Sequence, residues 1–234
     1  MSETITFDEA AHAAAYAAIR ERVIAIVRAA PPEALDAIAP ATPQWRVRDV
    51  FAHVVGVATD VLNGNIADAG GDQWTAAQVN ARYDPPIASL IDEWESAGPR
   101  IDAFVLSVPT ALTGQLLLDT STHEHDIRNA LGCPGARDSD ALVMGAVWLV
   151  NALGQLYDST GDAPLRFETE SFRANAGTGE PVATLRASTF EVVRAVTGRR
   201  THAEIADYEW APDAHAEQLV AIPLFTVPTR SLGE

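Results

Sequence analysis

Cysteine is nearly absent from this chain, with a single residue, Cys133, in 234. One thiol cannot close an internal disulfide, nor can it supply the thiolate cage of a structural zinc site. Any metal bound here must be held by nitrogen and oxygen. Basic residues are also scarce, 16 Lys and Arg against 32 Asp and Glu, for a formal net charge of -16. Binding to a phosphate backbone depends on neutralising cations, so no nucleic-acid partner is expected. The acids are scattered rather than run together, which describes a repelling surface and not an acidic tail. Long hydrophobic runs are missing too: the longest, Ala141 to Val150, is too short to span a bilayer. The opening residues, MSETITFDEA, lack the basic and apolar regions of a secretory signal. No membrane partner and a cytoplasmic location are the expectations.

What is present is enough apolar material for a core, 47% of residues, over a length that suits one large domain or two small ones. Asp8 to Ala30 is alanine-rich, with Ala15, Ile19, Val23 and Val27 recurring at helical spacing until Pro31-Pro32 stops the pattern. Val47 to about Ala67 places Val50, Val54, Val57 and Val61 on one face of a second helix, with Asn63-Gly64 marking possible fraying. A third pattern runs from Ile87 to about Val108 through Leu90, Trp94 and Ile101, where Gly98-Pro99 must start, break or kink a helix. Helices are also expected from about Thr110 to Leu131, and from a cap at Asp138 or Ser139 to about Tyr157. Beyond Gly161 the texture changes. LRFETESF and PVATLRAS carry strand-like alternation about glycine turns, and Thr189 to Val196 returns to helical spacing. The expected division is a helical bundle over residues 1–160 and a small α/β module over 161–234.

The fourth helix carries the most informative pattern. Positions 112, 116, 119, 123, 126/127 and 130 form one stripe, occupied by Leu, Leu, Asp, His, Asp/Ile and Ala. Asp119, His123 and Asp126 thus interrupt an apolar seam. Burying such groups without partners costs several kcal/mol, so hydrogen bonds, an ion pair or a metal must compensate. His53, on the second helix between Val50 and Val57, is directed close to that helix's buried face. A lone histidine there is ordinarily a hydrogen-bonded core residue. Asp119 and His123, at i and i+4, can share an ion, and His53 from a neighbouring helix makes three ligands. Three imidazole and carboxylate ligands leave a position open, the pattern of catalytic zinc. Asp126 can accept the second imidazole proton of a ligand histidine or pair with Arg128. His125 projects away from that site.

Three segments carry a resemblance: PQWRVRDVFAHVVG around His53, DTSTHEHDIRNALG around Asp119, His123 and Asp126, and ASTFEVVRAVTGRRTHAEIADYEW near the end. They resemble the mycothiol-dependent maleylpyruvate isomerase family. The resemblance implies an α+β fold, an N-terminal DinB-like four-helix bundle with a divalent metal followed by a small α/β domain. It implies zinc at His53, Asp119 and His123, mycothiol as cosubstrate, Trp45 beside the cosubstrate, and an arginine of the second domain assisting catalysis. Arg200 is the choice among Arg194, Arg199, Arg200 and Arg230. Asp119 departs from the family, whose characterised isomerases carry glutamate there.

The implied activity is isomerisation or S-transfer on a small electrophile by a metal-activated thiol, with Arg200 and Asp126 as catalytic candidates and a monomer or weak homodimer as the assembly. Two alternatives stay open. One is a non-enzymatic small-ligand-binding protein in which the polar stripe is an ion-pair network; the other is a zinc hydrolase with Asp126 or Glu124 as base. Gly198-Arg199-Arg200 can hold a substrate carboxylate or form a surface ion pair. Cys133 reads as an ordinary free thiol, and Trp45, Trp74, Trp94 and Trp148 more often as packing anchors than as pocket walls. His12, His202 and His215 have no partner at ligand spacing and read as solvated or locally bonded.

Overall fold

The structure, a computed structural model, describes residues 6–212, 222 and 224–234. It is mostly helical, with a small four-stranded sheet following the helical region. The chain divides into two compact units, one formed by Glu9–Thr110 and Asp119–Gly135, the other gathering Ala111–Leu118 with Ala136–Glu234.

The first unit holds α1 (Glu9–Ala29), α2 (Pro32–Leu35), α3 (Val47–Asn63), α4 (Asp72–Ala81), α5 (Ile87–Ser107) and most of α6 (Thr110–Ala130). Helices α1, α3, α5 and α6 form the four-helix bundle. Their apolar stripes meet as the spacing predicts: Ile19, Val23 and Val27 of α1, Val50 and Val54 of α3, and Leu90, Trp94 and Ile101 of α5 are buried. Trp94 anchors the centre, edge-on to Phe51 at 5.8 Å with its indole N–H donated to Tyr16 Oη at 3.3 Å. Removal of Tyr16 from water raises its phenol pKa well above the ordinary range, and the Trp94 hydrogen bond and Arg20 charge only partly oppose this.

Helix α5 is continuous through Gly98-Pro99, the expected break. Arg20 of α1 packs against this point. Its guanidinium grips Asp102 with two bonds of 2.6 and 2.8 Å, and a Cβ at Gly98 would stand 3.1 Å from its central carbon. The glycine admits the arginine, and the bidentate pair one turn later secures the helix across the proline. Helix α3 ends at Asn63, sooner than the expected Ala67, because Gly64 turns left-handed at φ 70.

The second unit is built on α7 (Asp140–Thr160), capped by Ser139, whose hydroxyl accepts the Leu142 N–H. Strands β1 (Leu165–Glu168), β2 (Arg173–Ala176), β3 (Ala183–Arg186) and β4 (Glu209–Ala211) lie in the order β2-β1-β3-β4. The central pair β1/β3 is parallel and the outer pairs are antiparallel. Helix α8 (Thr189–Val196) packs on α7, and a short α9 (His202–Ala206) begins in a Thr201/Glu204 capping box. Leu149, Leu153 and Tyr157 of α7 share one core with Leu165, Phe167 and Leu185 of the sheet and Val192 and Val196 of α8.

Helix α7 therefore belongs with the sheet in this division, while the expected boundary at residue 160 falls at its end. It is the one helix among the described residues long and apolar enough to cross a membrane by length and composition, and 56% of its most apolar window is buried. The helix ends at Thr160, close to the expected Tyr157, and its inner face is covered by the sheet. Leu112, which begins the α6 stripe, is exposed rather than in the core.

Candidate metal centre

Helix α3 brings His53 and helix α6 brings Asp119 and His123 to one point. The Asp119 Oδ1 atom lies 3.5 Å from His53 Nε2 and 3.7 Å from His123 Nε2. One ligand atom from each of the three residues falls within 4.8 Å of the others. Both imidazoles are buried, at 3% and 8% exposure, which keeps bulk water off the nitrogens.

The donor set fits a divalent cation. At metal–ligand bonds of about 2.0–2.2 Å a tetrahedral ion holds its ligand atoms roughly 3.3–3.6 Å apart, and the two histidine–aspartate separations lie at or just beyond that span. The protonation pattern fits as well. His53 Nδ1 is 2.7 Å from the amide oxygen of Gln78, and His123 Nδ1 is 3.0 Å from Asp126 Oδ2. Each acceptor favours a proton on Nδ1, and a ring that is neutral with its proton there turns the Nε2 lone pair to the point where the three residues converge. Without a cation, burial lowers the His53 pKa, but the charge and hydrogen bond of Asp119, together with Gln78, outweigh burial and leave it raised.

Two tryptophans stand beside the imidazoles. Trp45, half-buried just before α3, tilts over His53 at 5.4 Å and over His123 at 6.4 Å between ring centroids. Trp74, from α4, stands edge-on to His53 at 6.4 Å, its indole N–H donated to the Asn65 carbonyl at 2.8 Å. Trp74 is thus a neighbour of the site, the less frequent of the two readings open to it. Trp94 is such an anchor, as described above, and Trp148 donates to the Ala111 carbonyl at 2.9 Å.

Gln78 and Trp74 both come from α4, a helix the sequence pattern does not announce. Gly56 explains how Gln78 reaches His53: a Cβ at Gly56 would stand 2.6 Å from that of Gln78. Only glycine lets the two helices approach so closely. The signal present in the sequence was this glycine, facing inward beside His53 on an otherwise valine-rich face.

Glu124 does not face the centre. Its side chain is fully buried between Arg22, at 2.7 Å, and Arg128, at 2.9 Å, which removes it as the base of a hydrolase. Arg128 is thereby engaged with Glu124, and Asp126 accepts from His123. Cys133 is a half-buried free thiol in the turn after α6. His12 is buried on α1 rather than solvated, His125 is buried, His202 is exposed, and His215 lies outside the described residues.

Arg200 sits in the second unit. Its guanidinium bridges Glu191 at 2.6 Å and Glu234 at 2.6 Å, close to the Phe190 ring, and Glu234 also pairs with the buried Arg194. Burial opposes the Arg200 charge, but the two carboxylates raise its pKa far beyond the ordinary value. Its fork is committed to partners within its own unit.

Residues 16–128 match the mycothiol maleylpyruvate isomerase N-terminal domain. This segment belongs to that domain family. The match takes in His53, Asp119, His123 and Asp126 together. The likeness of fold reaches over most of the chain. Two crystal structures of mycothiol-dependent maleylpyruvate isomerase are similar, one of the enzyme with TM-score 0.59 at 16% identity and one of a histidine-to-alanine mutant with TM-score 0.60 at 15% identity. Each superposition covers 89% of this chain and 94% of the other. No curated protein sequence matches significantly.

Proposed function

We propose that this protein is a metal-dependent enzyme that uses a low-molecular-weight thiol, mycothiol, for isomerisation or S-transfer on a small electrophilic substrate. The observation that carries this is the convergence of two bare imidazole nitrogens and one carboxylate oxygen from two helices of an isomerase-type domain. Three nitrogen and oxygen ligands leave a coordination position open, which favours a catalytic over a structural ion and zinc among the candidates. A cation held by His53, Asp119 and His123 would supply a Lewis acid that lowers the pKa of a nearby thiol into the range where thiolate predominates.

The chain's own residues prepare that chemistry. Gln78 and Asp126 keep the Nδ1 protons in place and the Nε2 atoms unprotonated. Trp45 and Trp74 flank the imidazoles, exclude water from one side, and offer flat apolar surface to the body of the cosubstrate. Asp126, fully buried and bonded to His123, serves to orient that ligand rather than to transfer a proton to substrate. Arg200, with Glu191 and Glu234 already on its guanidinium, is given no part in the chemistry. The proposal keeps the cytoplasmic setting expected from the sequence.

The test is metal analysis of the purified protein, then metal-dependent turnover of conjugated cis-alkenes and alkylating electrophiles with added thiol. Recovery of the thiol with a rearranged product marks an isomerase, and its stoichiometric consumption marks a transferase. His53→Ala and His123→Ala are expected to lose both metal and turnover while remaining folded. A wild-type protein that refuses zinc, cobalt and nickel ends the proposal.

A further inference from the structure

We propose that Asp60 fixes the tautomer of His53 through Gln78, making Asp60 and Gln78 positioning residues of the centre although neither offers it a ligand atom. Three links carry this. Asp60 Oδ2 lies 2.7 Å from Gln78 Nε2, and Gln78 Oε1 lies 2.7 Å from His53 Nδ1. Asp60 is itself steadied by Asn65, whose side-chain amide donates to Oδ1 at 3.0 Å.

The polarity of the chain follows from what each group can do. A carboxylate only accepts, so Asp60 takes the NH2 end of the Gln78 amide. An amide has one donating and one accepting end, so Oε1 is turned to His53. An amide oxygen also only accepts, which leaves the imidazole no choice but to carry its proton on Nδ1. In the neutral ring Nε2 is then a bare lone pair 3.5 Å from Asp119 Oδ1. An inverted amide would set oxygen against carboxylate at one end and NH2 against N–H at the other, two repulsive contacts in place of two hydrogen bonds.

The fold supports the relay at its narrowest point. His53 and Asp60 stand seven residues apart on α3, two turns along the same side of the helix. Gln78 spans them from α4, entering over Gly56, which lies between them and offers no side chain to obstruct it. The two imidazoles are consequently held by different means. His123 donates directly to the buried carboxylate of Asp126, whereas His53 donates to a neutral amide whose direction is set from two turns away.

Asp60→Asn tests the relay, because asparagine can donate to Gln78 Oε1 as well as accept from Nε2, which frees the amide to invert, and the Asp119 carboxylate 3.5 Å from His53 Nε2 then draws the ring proton to that side. The inverted NH2 would donate to Nδ1 of His53 and move the ring proton to Nε2. Nitrogen-15 chemical shifts of the His53 ring, read on metal-free protein in alkaline buffer where the imidazole is neutral, report the tautomer directly. Wild type is expected to show Nδ1–H, and Asp60→Asn a clear shift toward Nε2–H, with zinc affinity lower by about 10–100-fold. Adding Gln78→Glu to that variant is expected to restore Nδ1–H, since a glutamate again only accepts. An unchanged tautomer in folded Asp60→Asn, or failure of the double variant to restore it, overturns the relay. The consequence for metal rests on the function proposed above, but the tautomer does not. Wild-type protein that takes no zinc while Asp60→Asn still moves the proton supports the relay and sinks only the metal-dependent reading.

Discussion

Arg22 of α1 grips Glu124 of α6 with two parallel hydrogen bonds, Nε to Oε1 at 2.9 Å and Nη2 to Oε2 at 2.7 Å. Glu124 follows His123 directly, so this fork clamps the turn of α6 that carries a candidate ligand to α1. Its carboxylate is fully buried, and Arg128 is its second cation. Arg22→Ala leaves the buried charge with one partner and should cost about 1–3 kcal/mol, the range for depriving a buried acceptor of its hydrogen-bond partner. At roughly 2–4 °C per kcal/mol for a chain of this size, a loss of several degrees in Tm is expected in calorimetry. Zinc stoichiometry should be unchanged, because Glu124 lends no atom to the centre. A stoichiometry that falls with Arg22 would mean that the clamp, and not the three ligands alone, defines the site.

Trp45 and Trp74 flank His53 with ring centroids 5.4 and 6.4 Å from its own, close enough for a paramagnetic ion to quench indole emission. Titration with cobalt is expected to lower tryptophan fluorescence saturably, at one equivalent, and zinc is expected to reverse it by competition. Asp119→Asn should abolish the response, since it removes the anionic ligand that both imidazoles face. Asp119→Glu should preserve it, because a carboxylate on a longer stem still reaches the same point. Quenching that persists in Asp119→Asn would place the cobalt elsewhere.

Much of this centre was legible in the sequence because α6 writes it at helical spacing. Asp119, His123 and Asp126 at i, i+4 and i+7 must share a face, and charge on a face otherwise Leu and Ala demands partners. The bundle helices were legible for the same reason: Ile19, Val23 and Val27, or Leu90, Trp94 and Ile101, repeat only if a helix buries them. Gln78 and Trp74 were not legible. Helix α4 is short and largely exposed, buries only Gln78 and Val79, and so displays no stripe. Strands β2 and β4 escaped for a related reason, since RANA and EWA are too short to show alternation and form against β1 and β3. The commitment of Arg200 to Glu191 and Glu234 joins residues 9 and 34 positions apart, which no local pattern encodes.

Gly56→Ala isolates the approach of α4 to α3. The new methyl would stand 2.6 Å from Gln78 Cβ, closer than packed carbons tolerate, and both are near a backbone that must shift. Because the helix itself gains propensity from alanine, about 1 kcal/mol relative to glycine, global stability should change little. Gln78 would be pushed off His53, so zinc affinity should fall by about tenfold or more. Equilibrium competition with a chromophoric chelator measures this. If the affinity matches wild type, α4 yields without moving the amide, and the packing argument for Gly56 fails.

The ion pairs around Arg200 give the second unit a defined acid sensitivity. Burial by itself would raise the Glu191 pKa, yet hydrogen bonds from Arg200 and from the Tyr208 hydroxyl, at 2.6 Å each, hold it below the ordinary 4.5. A carboxyl whose folded pKa is depressed contributes stability that is fully present above its unfolded value and lost as pH falls through the folded one. The decline attributable to Glu191 therefore begins near 4.5 and continues below it. Glu191→Gln removes that contribution, so its unfolding free energy should be lower than wild type at neutral pH by about 1–3 kcal/mol. The gap between the two proteins should then narrow on the acid side, because the glutamine has no proton to gain. Urea midpoints taken at intervals from neutral pH downward give both curves. Parallel curves across the acid range would mean that Glu191 binds its proton no more reluctantly in the folded protein than in the unfolded chain.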